Sequence, residues 1–194
     1  MQLSRMFSSE KYKGTKNYLN TQKKYELLRT ILYFGVSLSL LAAGIIATEN
    51  RNNVLTIAAI LGCLPASKSA VAAVMYFRFK SLSTEAANDI EAHSEGLTVL
   101  YDMVFTSYNT NYFISHICIQ GNTVCGYTED DKHDEHKFQT HLSGILMADH
   151  HKNTTIKIFT DLKKYTERLE QMKNLEADET VTQGIVNTLK SVTL

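Results

Sequence analysis

The chain has 194 residues, 44% of them apolar, and its 20 lysines and arginines balance 20 aspartates and glutamates. High apolar content with one proline and three cysteines excludes a disordered chain, a collagen-like chain and a disulfide scaffold. The zero net charge is a cancellation, because residues 1–81 carry 11 basic and 3 acidic residues whereas residues 82–194 carry 9 and 17.

Residues 1–29 are predicted to form a basic juxtamembrane arm on the cytoplasmic side. The arm has seven basic and two acidic residues, and aromatic residues alternate with its lysines. This pattern is typical of a segment that lies on an anionic inner leaflet, with its rings at headgroup level. We therefore expect the lipid bilayer as a partner, and we expect no nucleic acid.

Two apolar segments follow, at 30–48 and 54–77. The first has 19 residues without a charge, and at 1.5 Å per residue a helix of that length covers roughly 28 Å, close to a bilayer core. A cleaved signal peptide fits poorly, because 29 residues precede this segment and a second apolar segment follows almost at once. The five polar residues between them allow only a tight turn, so we predict an antiparallel transmembrane hairpin.

The basic residues near the two segments predict its orientation. Seven precede the first segment, and Arg78 and Lys80 follow the second, whereas the turn contains Arg51 alone. Because basic residues favour the cytoplasm, we predict an integral protein of the plasma membrane with both termini cytoplasmic. The three cysteines are then expected to remain reduced.

Small residues recur every four positions on both predicted helices, and such residues let helices approach closely in lipid. We predict that the two rows face each other. The packing residues in these rows are Gly35, Ser39, Ala43 and Ala47 on the first helix, and Ala58, Gly62, Ala66 and Ala70 on the second.

Lys68 is the single charge in the second segment, and Pro65 lies three residues before it. A lysine inside a membrane is costly and suggests a function, such as contact with another subunit, a partner helix, a lipid headgroup or a water-filled path. The alternative is that Ser67, Lys68 and Ser69 mark a shallow break where the chain returns to the interface.

Residues 78–194 are predicted to form a cytoplasmic domain that begins with an amphipathic linker helix over 82–106. Six apolar residues at helical spacing indicate this helix. They are Leu82, Ala86, Ile90, Leu97, Tyr101 and Val104.

Further elements are predicted along the rest of the chain. Strands at 112–120 and 123–128 flank a Gly121-Asn122 turn. A helix is expected over 134–150, a strand over 154–159, a helix over 161–174 capped by Thr160, and a last helix over 178–190. The predicted fold is thus a membrane-anchored α/β (α+β) protein, with a transmembrane hairpin followed by a small α-β-β-α-β-α domain.

Five of the seven histidines lie between residues 133 and 151, beside several aspartates. They suggest a metal site or an enzyme active site, but a solvated helix entry is the simpler interpretation, so we expect no metal and no cofactor. A cysteine nucleophile pairing Cys118 or Cys125 with His116 is a further alternative, although alternating strand residues more often pack in the core.

The order helix, hairpin, helix, strand, helix is similar to the core of restriction-endonuclease-like folds. That resemblance implies a metal bound by an acid on the second strand and by an acid and a lysine on the third. Here those places read Ser115-His116 and Cys125-Gly126-Tyr127. Because the acids are missing, we do not expect nuclease chemistry.

Three functions are compatible with these patterns. The first is a membrane anchor that carries a binding or regulatory module without catalysis, with another membrane protein or a second copy as a partner. The second is an oligomeric pore or membrane effector that uses the Lys68 face. The third is a membrane-bound enzyme that uses the histidine-rich region 133–151, with catalytic residues that the sequence does not identify.

Overall fold

The computed structural model describes residues 10–50, 52–107, 110–130, 134–176 and 178–194, and these form two compact units. One unit, within residues 19–80, is the helical hairpin. The other, made of residues 10–18 and 81–194, is the α+β unit. The hairpin is therefore an insertion in the α+β unit, since chain segments of that unit precede and follow it.

The hairpin consists of helix α1 (Tyr18–Thr48) and helix α2 (Val54–Phe77). Helix α2 has the predicted bounds, whereas α1 begins twelve residues before the predicted span. Residues 21–29 are good helix formers, so the predicted arm is helical from Tyr18 onward. Asn53 caps α2, because its side chain accepts a hydrogen bond from Thr56 N.

The α+β unit has a mixed sheet of four strands and four α-helices among the described residues. Its elements are α3 (Thr84–His93), β1 (Thr98–Thr106), β2 (Asn111–Gln120), β3 (Thr123–Tyr127), α4 (Glu135–Ala148), β4 (Thr155–Phe159), α5 (Leu162–Lys173) and α6 (Glu179–Val192). The strands lie in the order β1-β2-β3-β4, with β1, β2 and β3 antiparallel and β4 parallel to β3.

The predicted linker helix over 82–106 is corrected to a short helix followed by a strand. Gly96 has a positive φ of 80° and separates α3 from β1. Asp102 also has a positive φ, 53°, and after it β1 buries Met103 and Phe105 in the same core as Leu100. The strand thus changes face at Asp102, and the same change explains the three-residue step from Tyr101 to Val104 in the predicted helical series. The corrected order is α-β-β-β-α-β-α-α.

The other elements of the unit agree with the predictions to within a few residues. Gly121, in the turn between β2 and β3, has a positive φ of 54°, as a tight hairpin requires. The N-cap of α5 is Asp161 rather than Thr160, because the Asp161 carboxylate accepts hydrogen bonds from Lys163 N and Lys164 N.

Helices cover both faces of the sheet and bury two apolar clusters. Helices α4 and α6 cover the larger cluster, and α3 and α5 cover the smaller one, which includes Cys118, Cys125 and Tyr165. The free edge of β1 is partly closed by two short pairings, Gly14 with Tyr101 and Thr193 with Phe105. These contacts attach segment 10–18 and the end of the described chain to the sheet.

Candidate functional site: the hairpin surface and the reactive side chains of the sheet

The two hairpin helices contact each other at heptad spacing. On α2, the buried residues at seven-residue spacing are Ala59, Ala66 and Ala73. Ser69 and Tyr76 are also buried, and each follows a member of that series by three residues. A Cβ atom added to Gly62 would lie 2.6 Å from the Ser37 Oγ atom of α1. A seven-residue step turns an ideal helix by only about 20° from a full repeat, so one face stays in contact along the pair.

Only part of the predicted packing rows lies in this interface. On α2, Gly62 contacts Ser37, Ala66 is fully buried, and Ala70 is half-buried. Ala58 is exposed, as are the four residues of the α1 row: Gly35, Ser39, Ala43 and Ala47. A four-residue step turns a helix by about 40° beyond a full turn, and the α1 row therefore moves off the contact face.

A buried polar cluster joins the two helices near the charged N-terminal part of α1. Glu26, only 4% exposed, accepts hydrogen bonds from Arg29 Nη2 at 2.5 and 2.7 Å and from Ser69 Oγ at 3.0 Å. Thr30 Oγ1 donates to Ser69 Oγ at 3.0 Å, and Gln22 Nε2 donates to Glu26 Oε1 at 3.2 Å. The paired charges and hydroxyls satisfy one another, which is the condition for burying a carboxylate at tolerable cost.

Lys68 is exposed and directly precedes Ser69 of this polar cluster. Because Ser69 hydrogen-bonds with Arg29 and Thr30, Lys68 lies at about the same height along the hairpin as those two residues. The charge-free part of α1 begins at that height. Helix α2 continues without interruption past Pro65 and Lys68 to Phe77. The Ser67 hydroxyl donates to the Cys63 carbonyl at 2.7 Å, a local bond within the helix.

The outer surface of the hairpin is apolar along both helices. All but two of the exposed large apolar side chains in the described chain belong to it, among them Ile46 and Val54, each 79% exposed. The most apolar 18-residue window is only 11% buried in α1 and 22% buried in α2. By length and composition both helices can cross a membrane.

In the α+β unit, the groups that could perform chemistry are buried against α5. His116 is completely buried, and its Nδ1 atom lies 2.6 Å from the Tyr165 hydroxyl. The ring of Tyr101 packs edge-on against the imidazole, with centroids 4.7 Å apart. Burial lowers the pKa of His116 to about 3, so this imidazole is neutral at pH 7.

Cys118 and Cys125 occupy opposite positions on β2 and β3 and are fully buried. Burial, with a smaller contribution from Cys125, raises the pKa of Cys118 to about 12, and burial also raises the pKa of Cys125. Because a thiolate is the nucleophilic form, neither thiol is activated. Both cysteines and Tyr165 belong to the apolar cluster that α3 and α5 cover.

The histidine-rich region does not converge on these groups. His133 lies outside the described residues. His136 is exposed on α4, whose buried side chains contact the opposite cluster of the sheet, and His151 lies 3.9 Å from Asp149. In the described part of the chain, no three His, Cys, Asp or Glu side chains are placed to hold a metal ion.

The positions that would carry the acids of a restriction-endonuclease-like core are packed into the sheet. Ser115, His116 and Tyr127 are buried, and a Cβ atom on Gly126 would lie 2.8 Å from Ile158 Cδ1. The chain matches no protein-family model, and neither a curated protein nor a solved structure is significantly similar to it. Function must therefore be inferred from the geometry alone.

Proposed function

We propose that this chain is an integral membrane protein whose hairpin anchors a non-catalytic binding or regulatory module. The observation that carries the proposal is the apolar surface of α1 and α2, which remains exposed after the two helices pack against each other. In water that surface would be unfavourable at about 25 cal/mol per Å². In a bilayer it contacts lipid chains, and the backbone of each helix is satisfied internally.

The polar cluster around Glu26 supports a position for the hairpin in the bilayer. Lys68, Arg29 and Thr30 lie level with one another, and basic residues are concentrated on that side of the hairpin. We infer that this level is near the headgroups of an anionic inner leaflet, where a lysine reaches water at little cost. Both termini then face the cytoplasm, and the turn at residues 49–53 faces outward.

The module is proposed to bind rather than catalyse, because its reactive side chains are used for packing. His116, Cys118 and Cys125 are fully buried, and burial lowers the pKa of His116 and raises the pKa of both thiols, so all three side chains are held in neutral forms. Catalytic groups instead require pKa values matched to their task and access to substrate.

One observation favours a second candidate, an oligomeric pore or membrane effector. The Lys68 side chain is exposed on the hairpin surface rather than paired within it among the described residues. In a ring of hairpins it would be available to a neighbouring subunit or to a water-filled path.

Membrane insertion is tested by alkaline carbonate extraction and by labelling of two single-cysteine additions in intact cells. The protein should stay in the membrane fraction, Asn52→Cys should react with an impermeant maleimide, and Gln183→Cys should react only after permeabilisation. Both additions are made in a Cys63→Ala background, because Cys63 is only partly buried whereas Cys118 and Cys125 are fully buried. That background without either addition is the matched control. Extraction into the soluble fraction, or the reverse labelling pattern, overturns the proposal.

A further inference from the structure

Strand β4 forms the second edge of the sheet, and no described segment pairs with its outer side. Toward β3, Thr155 N donates to Asn122 O and Phe159 O accepts from Thr128 N. Because backbone groups alternate along a strand, Ile156 and Ile158 direct their N–H and C=O groups away from β3. The β1 edge, in contrast, carries pairings from both ends of the described chain.

A groove of about 500 Å³ lies beside this open edge, between α4 and the beginning of β4. Its walls are Gln139, Thr140, Ser143, Gly144, Met147, Thr154 and Ile156. Met147 is 60% exposed and is one of two large apolar side chains that are exposed among the described residues of the α+β unit. A Cβ atom added to Gly144 would meet nothing within 4 Å, so space remains there for a side chain from outside.

The charges around the groove and edge are distributed unequally. Lys157 is exposed in the middle of β4, on the face of the sheet opposite the groove, with its Nζ atom 5.1 Å from the centre of the Phe159 ring. Lys152 lines the continuation of the groove at the start of the strand. Near that end, Asp149 accepts a hydrogen bond from the Thr188 hydroxyl and lies 3.9 Å from His151 Nε2. Glu135 and Asp161 lie near the far end, where Thr160 Oγ1 donates to Glu135 Oε1 at 3.4 Å.

We propose that the β4 edge and this groove bind an extended acidic segment of a partner protein by strand addition. The segment pairs with the open backbone groups of Ile156 and Ile158 and places an apolar side chain over Gly144, against Met147. An acidic residue lies beside Lys157, and a further acid faces Lys152. Main-chain hydrogen bonds supply affinity in this binding mode, and side-chain pockets supply specificity.

A second copy of this chain fits the edge less well than an acidic peptide. Antiparallel pairing of two β4 strands about their centre brings one Lys157 opposite the other, and like charges in opposed positions are destabilising. An acidic residue at the same position is attracted by the lysine instead. The inference rests on the binding role proposed for the α+β unit, and it does not depend on membrane insertion.

The test uses the full chain in detergent micelles and a display library of random twelve-residue peptides. We expect enriched peptides that alternate apolar and polar residues and contain an acid. Affinity of the resynthesised peptides should fall at least tenfold with Gly144→Leu, with Lys157→Glu and with Ile156→Pro. It should change less than twofold with Lys163→Glu, the matched charge reversal at an exposed lysine that belongs to neither the groove nor the β4 edge.

Circular dichroism and the unfolding midpoint report whether each variant is folded, and Gly144→Leu is decisive because its new side chain points into open space. Absence of enriched peptides, or equal binding by Gly144→Leu, overturns the proposal. So does enrichment of basic peptides, or a dimer of the chain that Gly144→Leu dissociates, which would identify a second copy as the occupant. If the peptide-binding test fails but the protein still resists carbonate extraction, the proposed membrane anchor is retained and only the proposed binding role is rejected.

Discussion

Between Glu26 and Ala73, the described residues that the helical hairpin buries are small or polar, whereas the core of the α+β unit is built from large apolar side chains. Ala59, Ala66 and Ser69 lie between the two helices, and Glu26 is 4% exposed there. In the α+β unit, Phe105, Phe138 and Leu142 are fully buried, and charged residues lie mainly on the surface. The two regions thus distribute the same residue types in opposite ways.

This contrast is the one expected if the hairpin lies in lipid, as proposed above, and the α+β unit lies in water. In water, the free energy gained by removing large apolar side chains from solvent stabilises the sheet and its helices. Lipid chains are as apolar as leucine, so that gain is lost between membrane helices, and close packing of small residues with polar contacts replaces it. The contrast predicts different sensitivities to the same kind of substitution.

The largest expected effect is from truncation of the core of the α+β unit. Phe138 is fully buried, and its ring lies 5.1 Å from those of Phe105 and Tyr112. Phe138→Ala should lower the free energy of unfolding by about 4 kcal/mol, measured by urea-dependent labelling of Cys118 and Cys125. Met147→Ala is the exposed control and should cost less than about 0.5 kcal/mol. An equal loss in both variants would contradict the assigned core.

A smaller effect is expected from enlarging a residue between the hairpin helices. Gly62→Leu should destabilise the helix pair by about 2 kcal/mol, because the added side chain meets Ser37. Gly35→Leu should be neutral, since nothing lies within 4 Å of its Cβ position. Disulfide formation between Thr30→Cys and Ser69→Cys, in a background with Cys63→Ala, reports the pairing. If Gly35→Leu also abolishes the crosslink, the heptad interface is wrong.

The smallest expected effect is a dependence of stability on pH that belongs to the α+β unit. Burial lowers the pKa of His116 to about 3, whereas an unfolded histidine has a pKa of about 6.5. Between these values the unfolded chain binds the additional proton, so stability falls as pH falls below about 6.5.

From pH 7.5 to 5.5 this histidine should contribute a loss of about 1.4 kcal/mol, which His116→Gln removes. The unaltered chain, measured under the same conditions, is the control. Urea unfolding at the two pH values measures both. A His116→Gln variant with the wild-type slope would assign the acid sensitivity to another group.

Several elements of the fold can be predicted from the amino-acid sequence alone. The bounds of α2 follow from a composition between Asn53 and Arg78 that is apolar apart from Lys68 and a few hydroxyl groups. The turn between β2 and β3 follows from the conformational freedom of Gly121. These features depend on residues adjacent in sequence. Local propensity therefore suffices to predict them.

Strand β1 and the hairpin interface required the structure. Asp102 shifts the face of β1 in the middle of the strand, and the spacing of Leu97, Tyr101 and Val104 then resembles that of a helix. The four-residue rows on the hairpin were visible in sequence, but the heptad series through Ala59, Ala66 and Ala73 was not distinguished from them. Alanines and glycines are common on every face of α2, so composition alone does not select the contact face.

The amino-acid sequence by itself determined that two apolar helices precede an acidic region of strands and helices, because length, charge and hydropathy are properties of contiguous residues. Only the tertiary structure decided that the reactive His116, Cys118 and Cys125 are buried, that Lys68 lies level with Arg29, and that the β4 edge is open beside a groove. Each of these depends on which distant segment packs against the residue, since burial and pairing arise from neighbours that the linear order does not specify.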